Sequence, residues 1–209
     1  MKPILFNTEM VKAIIDGRKT VTRRLIKPQP MGCPAPLGEN SYWPGYFAIQ
    51  DSERVTKPPF NIGEILYVRE TWLFIPCIDC GAHLCGDCAQ RPTIYENKES
   101  ESEGCWIFKA DYSEQDAARV CWRPSIHMPK QAARIFLKVT DVRAERLQDC
   151  GNMQAKEEGC SYCSEFARVW NRTIKQADRE IYGWQANPWV WVIEFEATMA
   201  ALKGEAYGG

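Results

Sequence analysis

Cys77, Cys80, Cys85 and Cys88 form a Cys-x2-Cys-x4-Cys-x2-Cys run, two chelating turns that can bring four thiolates to one tetrahedral metal ion. Zinc is the expected ion, an iron–sulfur centre is the alternative, and His83 can replace one thiolate. Four thiolates leave no open position for water, so the zinc is expected to be structural. Cys160 and Cys163 make a second Cys-x-x-Cys pair near Cys150, while Cys33, Cys105 and Cys121 read as small buried apolar residues.

The other concentration of chemistry is basic. Arg18, Lys19, Arg23, Arg24 and Lys27 fall within ten residues that contain no acid. Such a cluster can hold a phosphate backbone, or it can be the solvated face of a strand. Arg69 and Glu70 close the segment Gly63 to Trp72 and are a candidate site wall. Of eight tryptophans, Trp189 and Trp191 alternate in a strand and read as core, whereas Trp43, Trp72 and Trp122 are the candidates for stacking on a base. His127, set between prolines, reads as structural.

These residues need elements to carry them. Thr8, Met10, Val11, Ile14 and Ile15 predict a helix over 8–16 with Thr8 as N-cap and Gly17 as its left-handed stop, and Thr20-Val21-Thr22 predicts a strand directly after it. The proline- and glycine-rich stretch 28–60 predicts an irregular loop with few strands. Strands are expected in Gly63 to Trp72, Trp106 to Ala110, Arg134 to Thr140 and Trp189 to Phe195, and helices over Met153 to Glu158 and Ser164 to Ala177, the second capped by Ser164. Residues 73–104 read as a cysteine-rich insertion whose polar part, Glu96 to Gly104, is too poor in apolar residues for a core strand. The chain therefore predicts one domain over 1–199 with a frayed tail over 200–209, of α+β class: a small barrel with helices packed at its openings.

Lys plus Arg (26) and Asp plus Glu (27) nearly cancel, so global charge gives no argument for a nucleic-acid partner. No apolar run is long enough for a bilayer, and the apolar start is broken by Asn7, Thr8 and Glu9 before it could serve as an export signal. The expected location is the cytoplasm, with no membrane partner, where paired cysteines bind metal rather than form disulfides.

Gly17, Lys19, Thr22 and Arg24 form Gly-x-Lys-x-x-Thr-x-Arg, which resembles the signature of the ASCH family, related to the PUA barrels of RNA-modification proteins. Pro28-Gln29-Pro30, Gly63 to Trp72, Lys109-Ala110-Asp111, Trp122 to Pro129, Tyr182-Gly183-Trp184 and Asn187 to Trp191 resemble a phage and prophage branch of it. The resemblance implies an RNA or nucleoside partner. One branch removes the acetyl group from N(4)-acetylcytidine with a lysine, a threonine and a glutamate. These map to Lys19, Thr22 and Glu158, with Glu157 as rival for the last. Lys19 could act as a base or as a charged oxyanion stabiliser, and Thr22 could attack or position a water. Around them Arg18, Arg23, Arg24, Arg69, Glu70, Trp72 and Trp122 are the expected substrate- or RNA-binding residues. Amide hydrolysis of acylated cytidine, non-catalytic RNA binding and ribonuclease action all fit this set. Lys19 and Thr22 have opposite parity, so they converge only if the strand starts after Lys19 or bulges.

Overall fold

The computed structural model describes residues 1–50, 52–76, 94–97 and 102–199. Along the chain, β1 (Lys2–Leu5) is followed by α1 (Thr8–Ile15), β2 (Val21–Leu25), β3 (Pro34–Pro36), β4 (Phe47–Ile49) and β5 (Val55–Thr56). Next come β6 (Ile65–Arg69), β7 (Trp72–Pro76), β8 (Ile94–Asn97), β9 (Ser102–Phe108) and α2 (Glu114–Ala117). The described chain ends with β10 (Ile135–Arg146), α3 (Asn152–Glu157), α4 (Cys163–Thr173), α5 (Arg179–Tyr182) and β11 (Trp189–Met199). The class is α+β, and no sheet among the described residues closes into a barrel. No helix among them is long and apolar enough to cross a membrane.

The chain divides into two compact units, each built from separate stretches of sequence. One gathers Met1–Lys12 with the described part of Leu66–Phe136, and the other gathers Ala13–Ile65 with Leu137–Ala197.

In the first unit β1 runs parallel to β6, with Ile4 opposite Val68 and both buried. A second sheet has the order β7-β9-β8, all antiparallel, with Trp72 opposite Phe108 and Phe74 opposite Trp106. Its aromatic side chains pack with Tyr67, Met128 and Ala132 into one core cluster. Strands thus enter both ends of the polar stretch Glu96 to Gly104, since β8 continues to Asn97 and β9 starts at Ser102. Pairing along β9 supplies the backbone hydrogen bonds there, a driving force that apolar content does not measure.

In the second unit β10, β11 and β2 are successive neighbours, with β11 antiparallel to β2. Val190, Trp191, Val192, Ile193 and Phe195 of β11 are all buried, which explains the apolar run that only Glu194 interrupts before Phe195. On one side Val21, Val190 and Val192 pack with Phe166 and Trp170 of α4, which recur at helical spacing. The helix begins one residue before Ser164, at Cys163, and Glu165 accepts the Ser161 N–H at 2.7 Å; Ser164 is therefore not its cap. The proline-rich stretch holds a three-stranded sheet, β3-β4-β5, where Pro34 and Pro36 occupy an edge strand that can do without their N–H groups. Phe47 of β4 meets Trp191 edge to face at 4.7 Å.

Candidate active site

Gly17 ends α1 at φ +71°, and the turn lets both Arg18 and Lys19 donate their N–H groups to the Ala13 carbonyl at 2.9 Å. Lys19 lies outside β2, in an isolated antiparallel bridge with Glu158. Glu158 caps α3, and the next residues complete a Schellman motif, with Gly159 N–H to Lys156 O at 2.8 Å and Cys160 N–H to Ala155 O at 2.9 Å. A Cβ on Gly159, whose φ is +85°, would lie 2.8 Å from Ala13 Cβ and 3.4 Å from Lys19 Cβ. Glycine is what allows the end of α3 to press against Lys19.

The two side chains meet in the interior. Lys19 Nζ donates to Glu158 Oε2 at 2.6 Å, to Val21 O at 2.7 Å and to Glu158 O at 3.1 Å. The side chains are 0% and 2% exposed. Three acceptors match the three donors of an ammonium, so the geometry is that of a charged lysine. Burial lowers its pKa from the ordinary value, Glu158 opposes that shift, and Arg24 adds to it. Glu158 Oε1 accepts from Arg23 Nη1 at 3.1 Å, so one carboxylate is shared by two buried cations. Arg23 Nη2 stands 3.5 Å from Glu145 Oε2, and the guanidinium lies 5.8 Å from the Phe166 ring centre. Among the described residues Arg23 Nε and Nη2 are buried without a hydrogen-bond partner. Glu157 is exposed, and its carbonyl accepts the Thr20 N–H at 2.9 Å.

Thr22 is buried on the face of β2 that it shares with Arg24, whose Nη1 donates to Thr22 Oγ1 at 2.7 Å. Burial lowers the Arg24 pKa, against the pull of Glu158. Lys19 precedes β2 in the bridge, while Arg23, on the other face, reaches the same carboxylate.

The basic cluster does not form one continuous exposed face. Lys19 and Arg23 are buried, Arg18 pairs with Asp16 at 2.7 Å, and Lys27 sits 4.7 Å from the Tyr182 ring centre.

In the first unit Arg69 Nε donates to Met128 O at 2.7 Å. Glu70 is buried and takes a two-pronged clamp from Arg134, at 2.9 and 3.0 Å. Arg134 also bonds Asp111 at 2.8 Å and stacks 4.1 Å from the Phe108 ring centre. Burial raises the Glu70 pKa, and Arg134 opposes it. Trp72 is buried against Trp106, and Trp122 donates its indole N–H to Ala117 O at 2.8 Å, so both rings are engaged in packing. Trp43 remains open, 48% exposed.

Arg134, Glu145 and Asp111 join these clusters without being among the site residues that the sequence points to. Glu145 carried a usable signal, since it alternates with Asp141 and Arg143 on β10 in the period of one strand face. Cys77, Cys80, Cys85, Cys88 and His83 lie outside the described residues. Among those described, no group of three or more metal-binding side chains is assembled. Cys150 and Cys160 are buried free thiols pushed up by burial to about 12 and about 11, and Cys163 Sγ donates to Cys150 O at 3.2 Å. Cys105 is buried as expected, but Cys33 and Cys121 are exposed. His127 is exposed, in a short 3-10 turn.

No protein-family model, curated protein or solved structure matches the chain.

Proposed function

We propose that this chain is an ASCH-type, PUA-related protein acting on RNA or modified nucleosides, and that Lys19, Thr22 and Glu158 hydrolyse the amide of an N(4)-acylcytidine. The observation that supports this reading best is the 2.6 Å buried contact between Lys19 and Glu158, residues 139 apart in sequence. Burying an ion pair is a poor route to stability, because desolvation offsets the attraction. A buried pair with a second cation on the same carboxylate fits a site that must hold and move charge.

In the proposed reaction water adds to the acyl carbon and the bond from that carbon to the exocyclic nitrogen breaks. The nitrogen takes a proton, and cytidine and a carboxylic acid leave. In this reaction the Lys19 ammonium exchanges one of its three present acceptors for the developing oxyanion, and Glu158 takes the proton of the attacking water. Because Thr22 Oγ1 accepts from Arg24, its own hydroxyl proton is directed elsewhere and can orient the nucleophile.

Purified protein incubated with N(4)-acetylcytidine and a panel of acylated cytidines is expected to release cytidine, followed by chromatography. Lys19→Ala and Thr22→Ala are each expected to lower kcat about a hundredfold or more, with folding checked by circular dichroism. Absence of turnover by the wild-type protein across the panel would end the amidohydrolase reading.

A second reading, a non-catalytic RNA-binding module, is favoured by a specific surface. Tyr42 and Trp43 are 89% and 48% exposed. Their ring centres lie 5.2 Å apart, Tyr46 follows at 5.5 Å from Trp43, and Lys57 Nζ stands 5.3 Å from the Tyr46 ring. Open aromatic faces beside a cation suit unpaired bases. On this reading Trp43→Ala weakens binding of a single-stranded RNA about tenfold, since one stacked base contributes roughly 1–3 kcal/mol. Fluorescence anisotropy tests it, and an unchanged affinity counts against it.

A further inference from the structure

We propose that Arg23 and Glu145 are positioning residues, which hold the Glu158 carboxylate toward Lys19 and couple the charge of that buried pair to the surface through Arg143. The inference takes Lys19 and Glu158 as the working pair, but its test does not depend on turnover.

The observation is a ladder of alternating charge within the second unit. Lys19 meets Glu158 at 2.6 Å, Glu158 meets Arg23 at 3.1 Å, and Arg23 meets Glu145 at 3.5 Å. Glu145 in turn pairs with Arg143, which also pairs with Glu194 and with Asp141 at 2.9 Å. Side-chain exposure rises along it from 0% at Lys19 through 1% at Arg23 to 26% at Glu145 and 34% at Arg143. Charges at the buried end interact strongly because little solvent screens them, and those at the outer end remain open to water.

One guanidinium plane links the middle rungs. Arg23 uses Nη1 on Glu158 and turns Nη2 toward Glu145 at a distance too long for a hydrogen bond. Glu145 therefore acts on Arg23 as a compensating charge. Without it, the positive charge of Arg23 is balanced by Glu158 alone, and Arg23 competes with Lys19 for that carboxylate. Loss of Arg143 does the reverse, because Glu145 then compensates Arg23 more fully.

Other ionisable groups among the described residues also act on the ladder. Arg24 and Cys160 act on Lys19, Cys150 acts near Arg23, Glu158 and Glu145, with Cys163 beside it, and Glu165 acts on Cys160. The buried thiols of Cys150 and Cys160 stay neutral well past pH 9, since burial pushes them to about 12 and about 11.

The test is an NMR titration of the Lys19 ammonium in protein carrying isotope-labelled lysine. Glu145→Gln is expected to shift the Lys19 midpoint downward and Arg143→Gln to shift it upward. Glu157→Gln, an exposed acid outside the ladder, is expected to leave it in place. Both ladder substitutions lie at partly exposed positions, so folding is not at issue. A Lys19 midpoint that stays put in Glu145→Gln, or moves equally in Glu157→Gln, overturns the proposal. Cytidine release measured on the same variants separates the two ideas: turnover with an unmoved midpoint removes the ladder and leaves the function, and a moved midpoint without turnover does the opposite.

Discussion

Replacing Glu158 with alanine is expected to lower the free energy of unfolding by about 3–5 kcal/mol. The carboxylate is the shared partner of Lys19 and Arg23, whose side chains are 0% and 1% exposed. Its removal leaves two buried cations facing each other with backbone carbonyls and the more distant Glu145 as compensation. Lys19→Met is expected to cost less, because Arg23 remains as a counter-charge for Glu158 and the lysine stem is replaced by a side chain of similar reach. Urea denaturation of the two variants gives the order. Equal losses, or a loss below about 1 kcal/mol for Glu158→Ala, would mean that the cluster is solvated and behaves as a surface pair.

Gly159→Ala is expected to lower stability by about 2–4 kcal/mol, more than the roughly 1–2 kcal/mol for placing a side chain in the left-handed region. The excess comes from the new Cβ, which would stand 2.8 Å from Ala13 Cβ, so α3 or the end of α1 must shift. Gly17→Ala provides the comparison, since Gly17 also has a positive φ, +71°, but a Cβ there meets nothing within 4 Å. Only the backbone contribution should appear in that variant. Thermal or denaturant unfolding that gives both variants the same loss would remove the close approach at Gly159 as a cause. A shift of α3 also moves Glu158, so the Lys19 contact should weaken in Gly159→Ala alone.

Much of the site's local scaffolding could be read from residue types. Met10, Val11, Ile14, Ile15 and Gly17 predict α1 within one residue, but the expected cap is wrong: Thr8 is already helical, and Asn7 caps the helix, its Oδ1 accepting the Met10 N–H at 2.8 Å. Strand period was equally informative, since the opposite parity of Lys19 and Thr22 requires the strand to start after Lys19 or to bulge, and β2 starts at Val21. Which partner each face would meet was not readable. Arg23 reaches Glu158 and Glu145 only because β10 and the end of α3 converge on it, and tertiary packing rather than local propensity decides that. Glu70 illustrates the same limit: its clamp by Arg134 depends on the folding back of residues 64 positions away. Exposure was also misjudged for Cys33 and Cys121, because a small apolar side chain is no guide to depth when its backbone lies in a surface segment. The short sheet β3-β4-β5 was missed for a different reason, since edge strands tolerate prolines that a central strand would reject.

The alternation along β2 gives its neighbouring residues different hydrogen-bond partners around one shared carboxylate. Arg23 is tied to Glu158 and Glu145, whereas Thr22 is tied to Arg24 and lies opposite Ile193 on the partner strand. Because Arg24 also acts on the Glu158 carboxylate and the Lys19 ammonium, substitutions on either face of β2 should combine non-additively with substitutions at Glu158. In a lineage of such chains, positions 22, 23, 24 and 145 would all drift in step with position 158.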